Sequence, residues 1–150
     1  MFSLKKIISE LEKTNKKLDE LQYLLDEFDD KEWESYINFS NKEYTKTLIF
    51  RNKKYEIYLI CWDKYQMSYI HDHPEGGCIL KVLQGELIEH KYDTKNLELL
   101  EVLNHNLGSI SYIDNSIAYH RVGNDSKNRS ISLHIYSPPE FVSNIFKIKK

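Results

Sequence analysis

The sequence predicts a mainly β fold, an antiparallel barrel or sandwich with amphipathic helices packed on its outside. Two observations carry the β part. From Tyr44 onward, short apolar, β-branched and aromatic runs follow one another: TLIF, YEIYLICW, CILKVL, ELIEHKY, LELLEVL, SISYID, SIAYHRV and RSISLHIY. Turn pairs such as Gln-Gly, Asp-Asn and Gly-Asn punctuate them, and no long helix intervenes to make βαβ units. The third observation lies in the first forty residues, where the apolar period is that of a helix.

Taken in order, Leu4, Ile7, Ile8 and Leu11 recur at three- and four-residue spacing. Leu18, Leu21, Leu24, Leu25 and Phe28 repeat the pattern in a second segment. Thr14 or Asn15 can cap that segment and part it from the first. Trp33, Tyr36 and Phe39 add an apolar stripe, read as core rather than a ligand platform. The polar RNKK stretch joins the first two strands, and Pro138-Pro139 closes the last clear one. EFVSNIFKIKK is a final strand or coil. Nothing repeats and nothing is of low complexity. Residues 1–150 are expected to form one domain, helical over 1–40 and a β-barrel over 44–150.

Charge excludes several classes of partner. Twenty-one basic residues face 23 acidic ones, for a net charge of −2. No basic stripe invites nucleic acid, and no polybasic amphipathic segment or long apolar run invites a membrane. The opening MFSLKKIISELEK carries charges where a signal peptide needs its apolar centre. Cys61 and Cys78 are too few for a disulfide scaffold. The expectation is a cytoplasmic monomer acting on small molecules.

The stretch IHDHPEGGCILKVLQG, residues 70–85, concentrates the chemistry. On a strand, His71 and His73 share a face while Asp72 points away, so both imidazoles can bind one metal. An HxH pair alone is weak evidence. His120, in SIAYHRVGN, supplies a third imidazole, and three neutral ligands leave open positions for a substrate. His90 and His105 sit among charged and Asn residues and are expected at the surface. In SLHIY, Ser132, His134 and Tyr136 share one face and Leu133 and Ile135 the other. Two readings stay open there: an edge strand with its polar face outward, or a hydrogen-bonded row facing a cavity.

These segments resemble the two signature regions of the cupin barrel, a small antiparallel jelly roll. His71, His73 and Gly85 fit the first region, but Cys78 stands where that region has its metal-binding Glu. His120 and Asn124 fit the end of the second. More closely, the chain resembles the cysteine dioxygenases of type I, nearly from end to end. EWESYINFSNKEYTKTL, ICW, IHDH, CILKVLQG, DNSIAYHRVGN and SLHIYSPP all look like family blocks.

The resemblance implies an Fe(II)-dependent thiol dioxygenase, with His71, His73 and His120 as metal ligands. It implies that Tyr136 is the active-site phenol, oriented by His134, which Ser132 supports. Cys78 falls where many members carry a cysteine joined to that tyrosine by a thioether. Tyr44 falls on a pocket-wall tyrosine. Lys46, in YTKT, replaces the family's carboxylate-binding arginine and offers a point charge without a planar fork. Arg51 lies nearby, but the family spacing puts it in a turn.

The chemistry suits these residue types. Three neutral ligands leave iron its full double charge, which favours a thiolate donor. Adding both atoms of O2 to sulfur gives the sulfinic acid, with electrons supplied by the substrate. L-cysteine is the leading substrate; cysteamine and 3-mercaptopropionate are the near alternatives. A non-catalytic cupin that binds thiols or metal is the alternative from another class.

Overall fold

Helices come first in the chain and lie outside the barrel, and their placement decides which way the strands face. In a computed structural model, which describes residues 2–148, helix α1 spans Leu4–Lys13. Ser3 caps it, its hydroxyl accepting from the Lys6 amide at 3.1 Å. Lys13 in the last turn suits the helix dipole. Thr14 ends this helix rather than starting the next, its own amide donating to the Glu10 carbonyl. The second apolar segment is not one helix. A 3₁₀ turn over Leu18–Glu20 leads into α2, Gln22–Asp26. At three residues per turn, Leu18 and Leu21 fall on one side, and both are fully buried. The stripe of Trp33, Tyr36 and Phe39 packs into the same cluster.

Two five-stranded antiparallel sheets follow. One has the order β1-β2-β9-β4-β7, built from Thr45–Arg51, Glu56–Trp62, Ser130–Tyr136, Cys78–Gln84 and Ile110–Ile113. The other runs β10-β3-β8-β5-β6, from Ile145–Phe146, Ile70–His71, Tyr119–Gly123, Leu87–Tyr92 and Leu99–His105. Between the sheets lie Ile60, Trp62, Leu80 and Val82 from the first and Leu87 and Val122 from the second.

The outer face of the first sheet is covered by the helices. Leu4, Ile7, Leu11 and the second-segment leucines join Ile57, Leu59, Ile79, Ile131, Leu133 and Ile135 in one cluster. Lys81 fastens the two layers, its ammonium donating to the Leu25 and Phe28 carbonyls at 2.7 and 2.9 Å. With the helices over that face, apolar residues of β9 point outward and the row Ser132, His134 and Tyr136 points inward. The edge-strand reading is thus set aside: β9 lies between β2 and β4 and is buried along nearly its whole length.

Gly77 sets the start of β4. Its φ is +79°, and a Cβ there would lie 2.4 Å from the Ile113 carbonyl oxygen. Only glycine admits that backbone at that approach. The strand it opens brings Cys78 opposite both Ile113 and Tyr136.

Candidate metal centre and substrate cavity

His71 ends β3, and its cross-strand partner on β8 is His120. His73 follows two residues later, beyond the strand. The ligand atoms of the three imidazoles lie within 4.8 Å of one another. Behind each ring an acceptor takes the Nδ1 position. His71 Nδ1 donates to the Tyr69 carbonyl at 2.8 Å, and His73 Nδ1 to the Asn115 side-chain oxygen at 3.0 Å. His120 Nδ1 donates to Glu89 Oε2 at 2.6 Å. Asn115 also accepts from the His73 amide and donates to its carbonyl, so it clamps that residue at three points.

With the proton on Nδ1 in each neutral ring, three Nε2 lone pairs are left to converge. His71 and His120 Nε2 stand 3.1 Å apart with no proton for either to share. Buried His73 Nε2 has no hydrogen-bond partner among the described residues. Lone pairs aimed at one point are unfavourable unless a cation lies there. Burial first, then repulsion from neighbouring histidines, lowers the pKa of His71 to about 3 and of His73 to about 2. Both are therefore neutral near pH 7, the form a metal needs.

Glu89 completes the case. It is fully buried on β5, which on its own would raise its pKa. Hydrogen bonds from His105 at 2.9 Å and His120 outweigh that and hold it well below the carboxylate range. An anion so enclosed is best balanced by a divalent cation on the far side of the His120 ring. The residues present fit a three-histidine metal site.

Beside the cluster lies a cavity of about 340 Å³, lined by Tyr44, Lys46, Cys78, His134 and Tyr136 among others. The buried Trp62 indole donates to Ser132 Oγ at 2.9 Å, and Ser132 stands 2.7 Å from His134 Nε2. An indole can only donate, so the serine proton is best used on Nε2. His134 then carries its proton on Nδ1, 3.4 Å from the Tyr136 hydroxyl and 3.8 Å from Cys78 Sγ. Burial, with Lys46 nearby, keeps His134 neutral; burial likewise raises Tyr136 well above the phenol range. Burial pushes the Cys78 thiol up to about 12, and Cys78 stands outside the histidine cluster. Tyr44 stacks on Trp62 with centroids 4.6 Å apart. Lys46 places its ammonium 4.5 Å from the Tyr58 ring centre and 4.8 Å from that of Tyr136. Desolvation lowers its pKa.

Residues 141–146 form one wall. Phe141, Val142, Ser143 and Ile145 line the cavity, and Ile145 pairs with His71. Asp72 does point away from the metal cluster. It anchors this wall, its carboxylate accepting from the Asn144 amide at 2.7 Å and side chain at 2.8 Å.

The model of the family "Cysteine dioxygenase type I" matches residues 2–148. This chain belongs to the cysteine dioxygenase type I family. It is 35% identical over 131 residues to the cysteine dioxygenase type 1 of Rattus norvegicus. It is 38% identical over 133 residues to that of Homo sapiens. Each match covers 81% of this chain and 66% of the relative, so the chain spans just under two thirds of their length. Among solved structures, a Klebsiella pneumoniae protein with a double-stranded β-helix domain superposes with a TM-score of 0.66. Its identity is 17%, over 79% of this chain and 97% of that one. A cupin superfamily protein of Desulfitobacterium hafniense gives 0.56 at 14% identity, over 69% and 84%. These two likenesses concern fold, and they agree with the predicted mainly β cupin barrel. No helix among the described residues is long and apolar enough to cross a membrane.

Against the family's motif, Asn124 has a structural task here. Its amide donates to the Trp62, Asp63 and Asn128 carbonyls and so ties loops together. His105 departs from expectation: it is buried against Glu89, because β6 turns it inward at the end of an otherwise exposed strand. Sequence reasoning missed Glu89, Asn115 and Tyr58. For Glu89 a signal existed, since it alternates with Leu87 on the inward face of its strand.

Proposed function

We propose that this chain is an iron-dependent thiol dioxygenase that converts L-cysteine and O2 to cysteine sulfinic acid. The observation that carries the reading is the convergence of three Nε2 lone pairs, each fixed by an acceptor behind its ring. Family membership supports the same chemistry. Ferrous iron held by His71, His73 and His120 would supply a redox-active cation that binds thiolate and allows O2 to react with sulfur.

The protein's own groups do the rest. Tyr136, receiving the Nδ1 proton of His134 as a hydrogen bond, is free to donate its own hydroxyl proton into the cavity. A substrate carboxylate or a developing oxygen anion is the natural acceptor. Ser132 and Trp62 hold His134 in the tautomer that makes this direction possible. Lys46 offers a positive charge to the substrate carboxylate, and Tyr44 forms part of the wall. Phe141, Val142, Ser143 and Ile145 supply one side of the cavity that the thiol would enter. Both oxygen atoms end on sulfur, so the equation balances with thiol and O2 alone.

The test is oxygen uptake by the iron-loaded protein with L-cysteine, cysteamine and 3-mercaptopropionate. Stoichiometric sulfinate from L-cysteine is expected, with weaker use of cysteamine. Preference for a thiol without a carboxylate would overturn the substrate, and no uptake with any thiol would overturn the enzyme.

A further inference from the structure

Lysine carries its charge on a long flexible stem, so a well-placed ammonium needs outside support. Lys46 finds it between two aromatic faces, Tyr58 and Tyr136, whose rings meet edge to face with centroids 5.9 Å apart. Tyr136 is set by the His134 relay. Tyr58 is set from its far end, where Arg51 Nη2 donates to its hydroxyl at 3.0 Å.

Arg51 has a second partner. It ends β1 directly across from Glu56 on β2, and its Nε and Nη2 reach Glu56 Oε1 at 2.9 and 2.8 Å. Glu56 is only 3% exposed, yet it lines the same cavity as Lys46. Glu56 and Tyr58 lie two apart on one strand, so both side chains leave the same face of the sheet, and Tyr58 packs against the apolar cluster between the sheets. Glu140, largely in solvent, takes the remaining Arg51 contact at 3.1 Å.

A buried carboxylate beside a lone lysine would normally capture it. Here two guanidinium nitrogens converge on one oxygen of Glu56, Oε1, and no ion pair joins Glu56 to Lys46 among the described residues. Among the described residues, Lys46 is the only lysine or arginine lining the cavity. Its charge is thus left for a ligand.

We propose that Arg51, Glu56 and Tyr58 are positioning residues that fix specificity for small thiols bearing a carboxylate. They do so by holding the Lys46 ammonium between two rings and keeping Glu56 from neutralising it. The proposal rests on the dioxygenase reading, with Lys46 as the carboxylate partner. It adds that an arginine one layer behind the cavity decides whether that lysine is available.

The experiment uses the iron-loaded protein in six forms: unaltered, Arg51→Met, Glu56→Gln, the Arg51→Met/Glu56→Gln double variant, Tyr58→Leu and Tyr58→Phe. KM and kcat are measured for L-cysteine, 3-mercaptopropionate and cysteamine. Arg51→Met frees Glu56 to pair with Lys46, so KM for both carboxylate thiols should rise about tenfold, with a smaller change in kcat. KM for cysteamine should hold or fall. In the double variant no carboxylate remains to capture Lys46, and KM for L-cysteine should recover to within about threefold of the unaltered protein. Tyr58→Leu, which removes one ring face, should raise the same two KM values, and Tyr58→Phe should raise them less.

A readout without turnover separates this inference from the functional reading. In iron-free protein, the Lys46 side-chain NMR signal should titrate at higher pH in Arg51→Met and return in the double variant. Oxygen uptake by no thiol at all sinks the dioxygenase reading and with it the specificity claim. An unmoved Lys46 signal, equal KM changes for cysteamine, or no recovery in the double variant overturns the inference while leaving the dioxygenase reading intact.

Discussion

Glu89 Oε2 stands 2.6 Å from His120 Nδ1, and the other oxygen of the same carboxylate stands 2.9 Å from His105 Nε2. One buried anion therefore sets the direction of two imidazoles, and one of these is a candidate ligand. An amide in its place could accept from only one ring and would turn its NH2 toward the other donor.

Glu89→Gln should accordingly weaken metal binding by about 10- to 100-fold, the usual effect of removing an outer partner of a ligating histidine. Titration of Fe(II) into anaerobic protein measures it, with circular dichroism to establish folding. His105→Gln should weaken binding less, because Glu89 keeps its contact with His120. Unchanged affinity in folded Glu89→Gln would mean that the carboxylate serves packing only.

The depressed histidines make a prediction about stability. His71 falls to about 3 and His73 to about 2 from an ordinary value near 6.5, and His134 is lowered as well. The neutral ring is favoured in the folded state, so this stability is complete above about 6.5 and is lost as pH falls below it. Each group can add a slope of up to ~1.4 kcal/mol per pH unit in that range. Glu89, also depressed, has the same sign at lower pH. Cys78, raised from 9.0 to about 12, acts at the other end, its stabilisation being lost as pH rises above 9. Urea midpoints of metal-free protein should be highest between about 6.5 and 9 and clearly lower at pH 5. A midpoint flat from pH 8 to 5 would mean that these imidazoles are hydrated.

Gly77→Ala should be costly for backbone reasons. The added Cβ would meet the Ile113 carbonyl at 2.4 Å, at a φ of +79°. Strain of this kind costs on the order of 1–3 kcal/mol before any clash is counted. A drop in Tm of several degrees is expected, read by thermal melting. Gly108, whose Cβ would meet nothing within 4 Å, has a positive φ but open space, so Gly108→Ala should cost less.

Much of this arrangement was legible in the sequence because strands write their faces into it. The alternation of Ser132, His134 and Tyr136 with Leu133 and Ile135 gave two opposite faces at once. It did not say which face was inside, since that depends on α1 and α2 covering the outer one. The same limit hid the second helical segment, where the leucine spacing fits both an α-helix and a 3₁₀ turn. His105 was misread because its neighbours are polar, and only the pairing of β5 with β6 puts it opposite Leu87 and beside Glu89. Tyr58 read as one more apolar residue of a strand. Its task depends on Arg51, which reaches it across a hairpin.

Cys78 and Tyr136 are direct cross-strand partners of β4 and β9, and both face His134. Neither group ionises readily where it lies, so the thiol is no ready thiolate ligand. The family resemblance implies a thioether between Cys78 Sγ and the Tyr136 ring, and we predict that this cross-strand pair forms one. The reaction removes the thiol hydrogen and one ring hydrogen, with O2 as the acceptor of two electrons and two protons. The linked phenol would lose rotamer freedom before substrate arrives and so meet it already oriented. Intact mass after turnover with iron, L-cysteine and O2 should fall by two hydrogens. Proteolysis should yield one branched peptide, resistant to reductant, joining the segments around the two residues. Cys78→Ser should abolish that product and keep reduced activity. Two separate linear peptides from extensively cycled, active protein would leave Cys78 as a small buried hydrophobe that packs against Ile113 and Ala118.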